Sequence, residues 1–221
     1  MKRYDTVIFD LDGTLLNTLE DLADGVNAVM RANAYPERTL DEVRRFVGNG
    51  IRRLMEQAVP EGVCGEVFER VFEEFRTYYT EHCQIKTRAY DGVMELLAAL
   101  KEKGYAMAIV SNKNHAAVCE LNDIYFKNDI SVAIGQKDGI RKKPAPDTVF
   151  QALKELGVSG ERAVYVGDSE VDFMTAENAG MDCVLVSWGF RTKEELADCT
   201  PKVMIDRPEE LLAVLEERFV G

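Results

Sequence analysis

Two carboxylates two positions apart, Asp10 and Asp12, are the first residues in this 221-residue chain whose types and spacing can do chemistry. They stand in Asp10-Leu11-Asp12-Gly13-Thr14, directly after a short apolar run. Side chains at i and i+2 of an extended segment point the same way. Two close carboxylates repel, so one holds a proton or both share a cation. Such a pair suits one nucleophile and one general acid/base. Three further polar clusters follow other apolar runs: Ser111-Asn112, Lys143-Pro144, and Gly167-Asp168-Ser169 with Asp172. Asp168 adds a third hard oxygen donor. Carboxylates with open positions suit Mg²⁺, which keeps several waters and favours carboxylate together with phosphate. Lys143 then offers a cation and Ser111 a hydroxyl to phosphate oxygens, with Asn112 beside them. Gly13 and Thr14 can turn backbone N–H groups toward the same anion.

The apolar runs must be the elements that position these clusters. Residues 6–9, 106–110, 132–134, 163–166, 183–186 and 203–205 are short and mostly β-branched, and read as strands buried on both faces of a parallel sheet. Helical spacing fills the gaps: residues 91–103 before Gly104, a helix capped by Asp147 and closed by Gly157, residues 170–179 before Gly180, and a last helix from about Pro208. Leu211, Leu212 and Leu215 would seal that last helix onto the sheet. Alternating strands and helices predict a doubly wound, Rossmann-like α/β core, in which ligands bind beyond the carboxyl ends of the strands. One stretch breaks the alternation. Residues 17–83 show only helical periodicity, with a capping box at Thr39-Leu-Asp-Glu42 and an aromatic stripe through residues 67–79 that reads as the segment's own core. The expected organisation is therefore a discontinuous core, residues 1–16 and 84–221, with an all-α domain of residues 17–83 inserted after the first strand and hinges near 17–18 and 84–88.

Composition narrows the function. With 27 Lys and Arg against 39 Asp and Glu, the formal net charge is −12, which opposes nucleic acid and anionic membranes. No apolar run is long enough to span a bilayer. Asp5 and Asp10 interrupt any apolar signal region after the basic start. Five scattered Cys without CxxC spacing point to free thiols in a reducing compartment, so a cytoplasmic location is expected. His82 and His115 are isolated and lack ligand spacing, and Trp188 reads as packing beneath a loop.

Taken in order, the four clusters resemble the motifs of the haloacid dehalogenase superfamily: Phe9-Asp-Leu-Asp-Gly-Thr-Leu15, Val110-Ser-Asn112, Lys142-Lys-Pro144 and Val166-Gly-Asp-Ser-Glu-Val-Asp172. The helical insertion resembles that family's cap. Asn17-Thr18, Val47-Gly-Asn-Gly-Ile51, Lys143-Pro-Ala-Pro-Asp147 and Ala176-Glu-Asn-Ala-Gly180 are similar to phosphoglycolate phosphatases. The resemblance implies an Mg²⁺-dependent phosphatase of a small phosphorylated metabolite. Asp10 would be the nucleophile forming an aspartyl-phosphate, and Asp12 would protonate the leaving oxygen and later activate water. The Asp10 carboxylate, the Asp12 carbonyl and Asp168 would hold the metal. Asp172 would support the metal site or orient Lys143, while Ser111 and Lys143 hold the phosphoryl group. Lys142 is the fallback for Lys143, because residues 120–129 show neither a clean helix nor a Gly-containing turn and leave the alignment loose.

Gly48, Asn49 and Gly50, followed by Arg52, form a Gly-rich loop opening a helix, whose free N–H groups can meet an anion. The loop is expected to read the non-reacting end of the substrate. It is neither a dinucleotide fingerprint nor a P-loop. 2-Phosphoglycolate is the leading substrate. Pyrophosphate, a sugar phosphate, a phosphomutase reaction and a non-catalytic phosphate-binding protein are the alternatives, and the pattern leaves monomer and homodimer open.

Overall fold

The computed structural model describes residues 4–216. The basic start at Met1–Arg3, read above as no signal segment, and the final residues 217–221 of the expected core lie outside the described residues. The chain forms two compact units. One takes the residues up to Leu15 and those from Ala89 onward; the other is Leu16–Arg88.

The first unit holds a six-stranded parallel sheet in the order β5-β4-β1-β6-β7-β8. Its strands are β1 (Thr6–Phe9), β4 (Ala106–Asn114), β5 (Val132–Gln136), β6 (Ala163–Gly167), β7 (Asp182–Val186) and β8 (Val203–Ile205). Helices α5 (Val93–Glu102), α6 (His115–Tyr125), α7 (Asp147–Leu156), α8 (Glu170–Ala179), α9 (Lys193–Ala197) and α10 (Glu210–Glu216) connect or follow the strands. β1 and β6 are buried along their whole lengths, which is why they read as continuous apolar runs. Ile8, Val110, Ile134 and Tyr165 pack on one face with Val149, Leu153 and Ala176 from α7 and α8. The chain leaves β1 toward β4 and β5, then returns to β6, β7 and β8. Strand order therefore reverses at β1, and in open sheets of this kind ligands bind beyond the carboxyl ends of the strands at such a reversal.

The second unit holds α1 (Leu19–Ala32), α2 (Leu40–Phe46), α3 (Ile51–Ala58) and α4 (Gly65–His82). Gly25 of α1 lets α4 approach closely, since a Cβ there would stand 3.2 Å from Phe75 Cε2. The aromatic stripe is core: Phe68, Phe72, Phe75 and Tyr79 are buried. The capping box forms as read, with Thr39 Oγ1 accepting from the Glu42 N–H at 3.2 Å and Glu42 Oε2 accepting from the Thr39 N–H at 2.8 Å. Asp21 is buried and accepts from the backbone N–H groups of Lys86 and Thr87, which ties the chain's exit from this unit to α1.

Several details differ from the sequence reading. Two-residue strands β2 (Leu16–Asn17) and β3 (Arg88–Ala89) pair with each other and are too short to leave a pattern. Residues 115–125 do form a helix, α6. Asn122 sits on its buried face and hides the apolar periodicity, and its amide donates to the Ile130 carbonyl at 3.2 Å. Asp147 is not the cap of α7 but its first residue. Pro146 precedes it, and the Asp147 carboxylate pairs with Arg141 at 2.7 Å. Leu212 is only half-buried, whereas Leu211 and Leu215 are fully buried. Among the described residues, no helix is long and apolar enough to cross a membrane.

Candidate active site

Each part of the candidate site lies near the carboxyl end of a strand of the six-stranded sheet or follows one. Asp10 follows β1, and its N–H donates to the Val166 carbonyl at 2.9 Å, so the end of β1 stays tied to β6. Ser111 lies within β4, Lys143 in the loop after β5, and Asp168 directly after β6. The sheet thus gathers residues from positions 10 to 172 at one edge. Their burial is unusual for charged groups: Asp10 is 8% exposed, Lys143 and Asp168 2%, and Asp172 0%. Charged groups are this deeply buried only when paired or when they bind an ion.

Lys143 is the hub. Its Nζ stands 2.7 Å from Asp10 Oδ1 and 2.7 Å from Asp172 Oδ1, and donates to the Tyr165 hydroxyl at 3.1 Å. Burial by itself would lower the Lys143 ammonium, but the charges of Asp10 and Asp172 outweigh it and hold the group above its ordinary value. Lys142, by contrast, is exposed. Burial, then Asp172, push the Asp10 carboxyl well above the usual carboxylate range against the pull of Lys143. Tyr165, pushed up by burial first and Asp172 second, stays a neutral hydroxyl and donates to Asp172 Oδ1 at 3.0 Å. The sequence reading did not include Tyr165, because a tyrosine inside an apolar strand reads as core.

Asp172 is saturated. Oδ1 accepts from Lys143 and Tyr165, and Oδ2 accepts from Ser169 Oγ at 2.6 Å and the Asp168 N–H at 3.2 Å. A carboxylate has about four lone-pair sites, so Asp172 acts on Lys143 rather than on a ligand. Asp168 is aimed by Thr14 Oγ1, which donates to Oδ1 at 3.2 Å, and by the Phe190 N–H, which donates to Oδ2 at 2.7 Å. Gly13 and Gly189 crowd the same carboxylate: a Cβ on either would fall within 2.5 Å of an Asp168 side-chain atom. Gly13 also has φ +92°, which favours glycine.

Asp10, Asp168 and Asp172 present carboxylate oxygens within 4.8 Å of one another. The Lys143 contact is an ion pair lying off the axis of an aligned hydrogen bond, which leaves buried Asp10 Oδ1 without a well-directed donor. An all-oxygen set with an under-satisfied buried carboxylate fits a hard divalent cation, with Asp10 and Asp168 as the ligands.

The other expected site residues divide. Ser111 is buried, and its Oγ accepts from the Lys113 N–H at 3.1 Å. Asn112, expected at the phosphate, holds the Lys143 backbone: Oδ1 accepts from the Lys143 N–H at 2.7 Å and Nδ2 donates to its carbonyl at 3.1 Å. The Thr14 N–H points to the Leu11 carbonyl at 3.4 Å, a weak turn contact. Trp188 does more than pack, since Nε1 donates to the Thr14 carbonyl at 3.0 Å. Asp12 pairs with Lys113, at 3.1 Å, a partner the sequence reading missed. In the helical unit, Gly50 precedes α3 at φ 86°, as a loop opening a helix requires. Arg52 is engaged in its own unit, forked onto Glu69 at 2.9 and 2.8 Å and stacked over Phe72 at 4.5 Å.

Burial first, and Asp172 second, push Asp168 up to about 7, against the Phe190 N–H, Arg191 and Lys143. A carboxyl raised above its unfolded value of ~3.9 contributes stability that is complete below that pH and lost as pH rises through the folded value. A divalent cation binds the carboxylate, so its stabilising effect must grow across the same window. The rise in Tm brought by Mg²⁺ is therefore expected to increase with pH through about 7, and the raised Asp10 carboxyl acts in the same direction. Thermal melts with Mg²⁺ and with EDTA across that range check this; a pH-independent increment removes Asp168 as a ligand.

A family model described as haloacid dehalogenase-like hydrolase matches residues 7–186. The chain is 30% identical over 215 residues to the phosphoglycolate phosphatase of Aquifex aeolicus (strain VF5), covering 97% of this chain and 98% of the relative. It is also 30% identical over 216 residues to the N-acetylmuramic acid 6-phosphate phosphatase of Pseudomonas aeruginosa, covering 97% and 96%. A crystal structure from Lactobacillus delbrueckii subsp. bulgaricus superimposes with a TM-score of 0.92 at 37% identity, covering 98% of this chain and 100% of that one.

Proposed function

Because the chain belongs to the haloacid dehalogenase-like hydrolase family and is a phosphoric monoester hydrolase, we propose that its substrate is 2-phosphoglycolate and its metal Mg²⁺. Asp10 is the nucleophile. Its carboxylate oxygen forms a bond to phosphorus as the phosphorus–oxygen bond to the leaving group breaks, giving an aspartyl-phosphate. Asp12 hands its proton to the departing oxygen, then takes one from the water that opens the acyl phosphate. Lys143 and the Ser111 hydroxyl hold phosphoryl oxygens. Asp10, Asp168 and the Asp12 carbonyl would hold Mg²⁺, which would supply positive charge to offset the repulsion between a phosphate dianion and this carboxylate cluster. The observation carrying the reading is Lys143, buried and 2.7 Å from both Asp10 and Asp172, whose charge pulls Asp10 toward the ionised form a nucleophile needs, against burial and the Asp172 charge.

The Aquifex relative supports the choice of 2-phosphoglycolate. The Pseudomonas relative supports a second reading, a sugar phosphate. The Gly48-Asn49-Gly50 loop is the candidate for telling such leaving groups apart, and Arg52, held by Glu69, supports that loop's helix. Phosphate release over 2-phosphoglycolate, pyrophosphate and several sugar phosphates, with Asp10→Asn as the blank, tests both readings. A kcat/KM for 2-phosphoglycolate about 10-fold or more above the rest is expected, since a built site separates substrates by at least that much. A sugar phosphate leading the panel favours the second reading. Release no higher than the blank throughout overturns both.

A further inference from the structure

A second lysine, Lys113, is buried at the carboxyl end of β4, and its side chain is 6% exposed. Neither the motif pattern nor the phosphoryl-holding set uses it. Its placement is built. β4 continues past Ser111 to Asn114, with an irregularity in its pairing to β5 between Val110 and Asn114 that covers Ser111 and Lys113. The Lys113 N–H donates to Ser111 Oγ at 3.1 Å. Gly135 lets β5 close against this end of the strand, where a Cβ would fall 2.6 Å from both the Lys113 carbonyl oxygen and His115 Cα. From there Lys113 Nζ reaches Asp12 Oδ1 at 3.1 Å. The two buried lysines thus serve different carboxylates: Lys143 the one that attacks, Lys113 the one that serves the leaving group.

We propose that Lys113 is a positioning residue that holds the Asp12 carboxyl group in the orientation needed for proton transfer to the leaving oxygen. The proposal rests on the phosphatase reading above. A charge-assisted contact selects one orientation of a short side chain, and a misplacement of about 1 Å at a reacting group costs on the order of 100-fold in rate. The dependence on the leaving group is the signature. In the first half-reaction the Asp10 oxygen–phosphorus bond forms, the ester bond breaks, and the Asp12 proton goes to the departing oxygen. An alkoxide cannot leave without that proton, whereas a nitrophenolate can. kcat/KM reports only the steps up to that departure and is blind to later hydrolysis of the aspartyl-phosphate.

The experiment compares kcat/KM for 2-phosphoglycolate and p-nitrophenyl phosphate in the wild type, Lys113→Met and Lys113→Arg, with and without Asp12→Asn. Expected for Lys113→Met is a loss of roughly 100-fold on the alkyl phosphate and only about 3-fold on the aryl phosphate, with Lys113→Arg recovering most of it. In the Asp12→Asn background, Lys113→Met should add no further loss on the alkyl phosphate. Equal losses on both substrates, no loss on either, or an undiminished Lys113 effect without the Asp12 carboxyl overturns the proposal while leaving the phosphatase reading intact. A wild-type chain that releases phosphate from neither substrate overturns both.

Discussion

Asp10→Asn is expected to abolish phosphate release, by at least about 10³-fold, while leaving the fold as stable as before or more so. An amide oxygen is a poor nucleophile, and removing a nucleophile costs several orders of magnitude in comparable hydrolases. The stability half follows from the site's electrostatics. The Asp10 carboxylate is buried, and Asp172 and Asp168 repel it. A neutral isostere removes that repulsion, and Lys143 keeps Asp172 and Tyr165 as partners. Single-turnover phosphate release and a thermal melt in EDTA measure the two halves. Wild-type turnover removes Asp10 from the mechanism, while a lower Tm shows that its pair with Lys143 outweighs the repulsion.

Lys143→Met is expected to be costly in both activity and stability. It removes the cation on which Asp10 and Asp172 converge and leaves a cluster of buried carboxylates to repel one another. Breaking a buried ion pair from one side costs about 3–5 kcal/mol. Lys143→Arg is not expected to restore function, because the planar fork of arginine does not fit a compact ammonium contact to two carboxylates and a tyrosine hydroxyl. Chemical denaturation and kcat/KM for the variants check these outcomes. Lys142→Met serves as the control: Lys142 is exposed, so a change there within about 0.5 kcal/mol is expected.

Local patterns carried the elements of the core. The β-branched runs at 6–9 and 163–166 are strands, Gly157 and Gly180 close α7 and α8 in the left-handed conformation, and Thr39 with Glu42 forms a capping box. These features depend on neighbours within a few positions, so residue order alone reveals them. Where a local pattern is interrupted for a tertiary reason, the reading misses the element. Asn122 lies on the buried face of α6 because Ile130 offers it a carbonyl, and strands β2 and β3 exist only through each other.

The sequence by itself determined which residues could do chemistry: Asp10 and Asp12 after the first strand, and Ser111, Lys143, Asp168 and Asp172 after later ones. Residue type and position at strand ends are one-dimensional facts. Only the tertiary structure decided what those residues do to one another. It buried Lys143 among carboxylates and left Lys142 exposed. It turned Asn112 onto the Lys143 backbone, saturated Asp172 with four donors, brought Tyr165 into the cluster, and set Lys113 against Asp12. Apart from the local Ser169 and Asp168 contacts to Asp172, each of these pairings joins positions on different strands or loops. Their energies come from desolvation and from charges a few ångströms apart, and neither exists until the parallel sheet has brought the carboxyl ends of β1, β4 and β6 together.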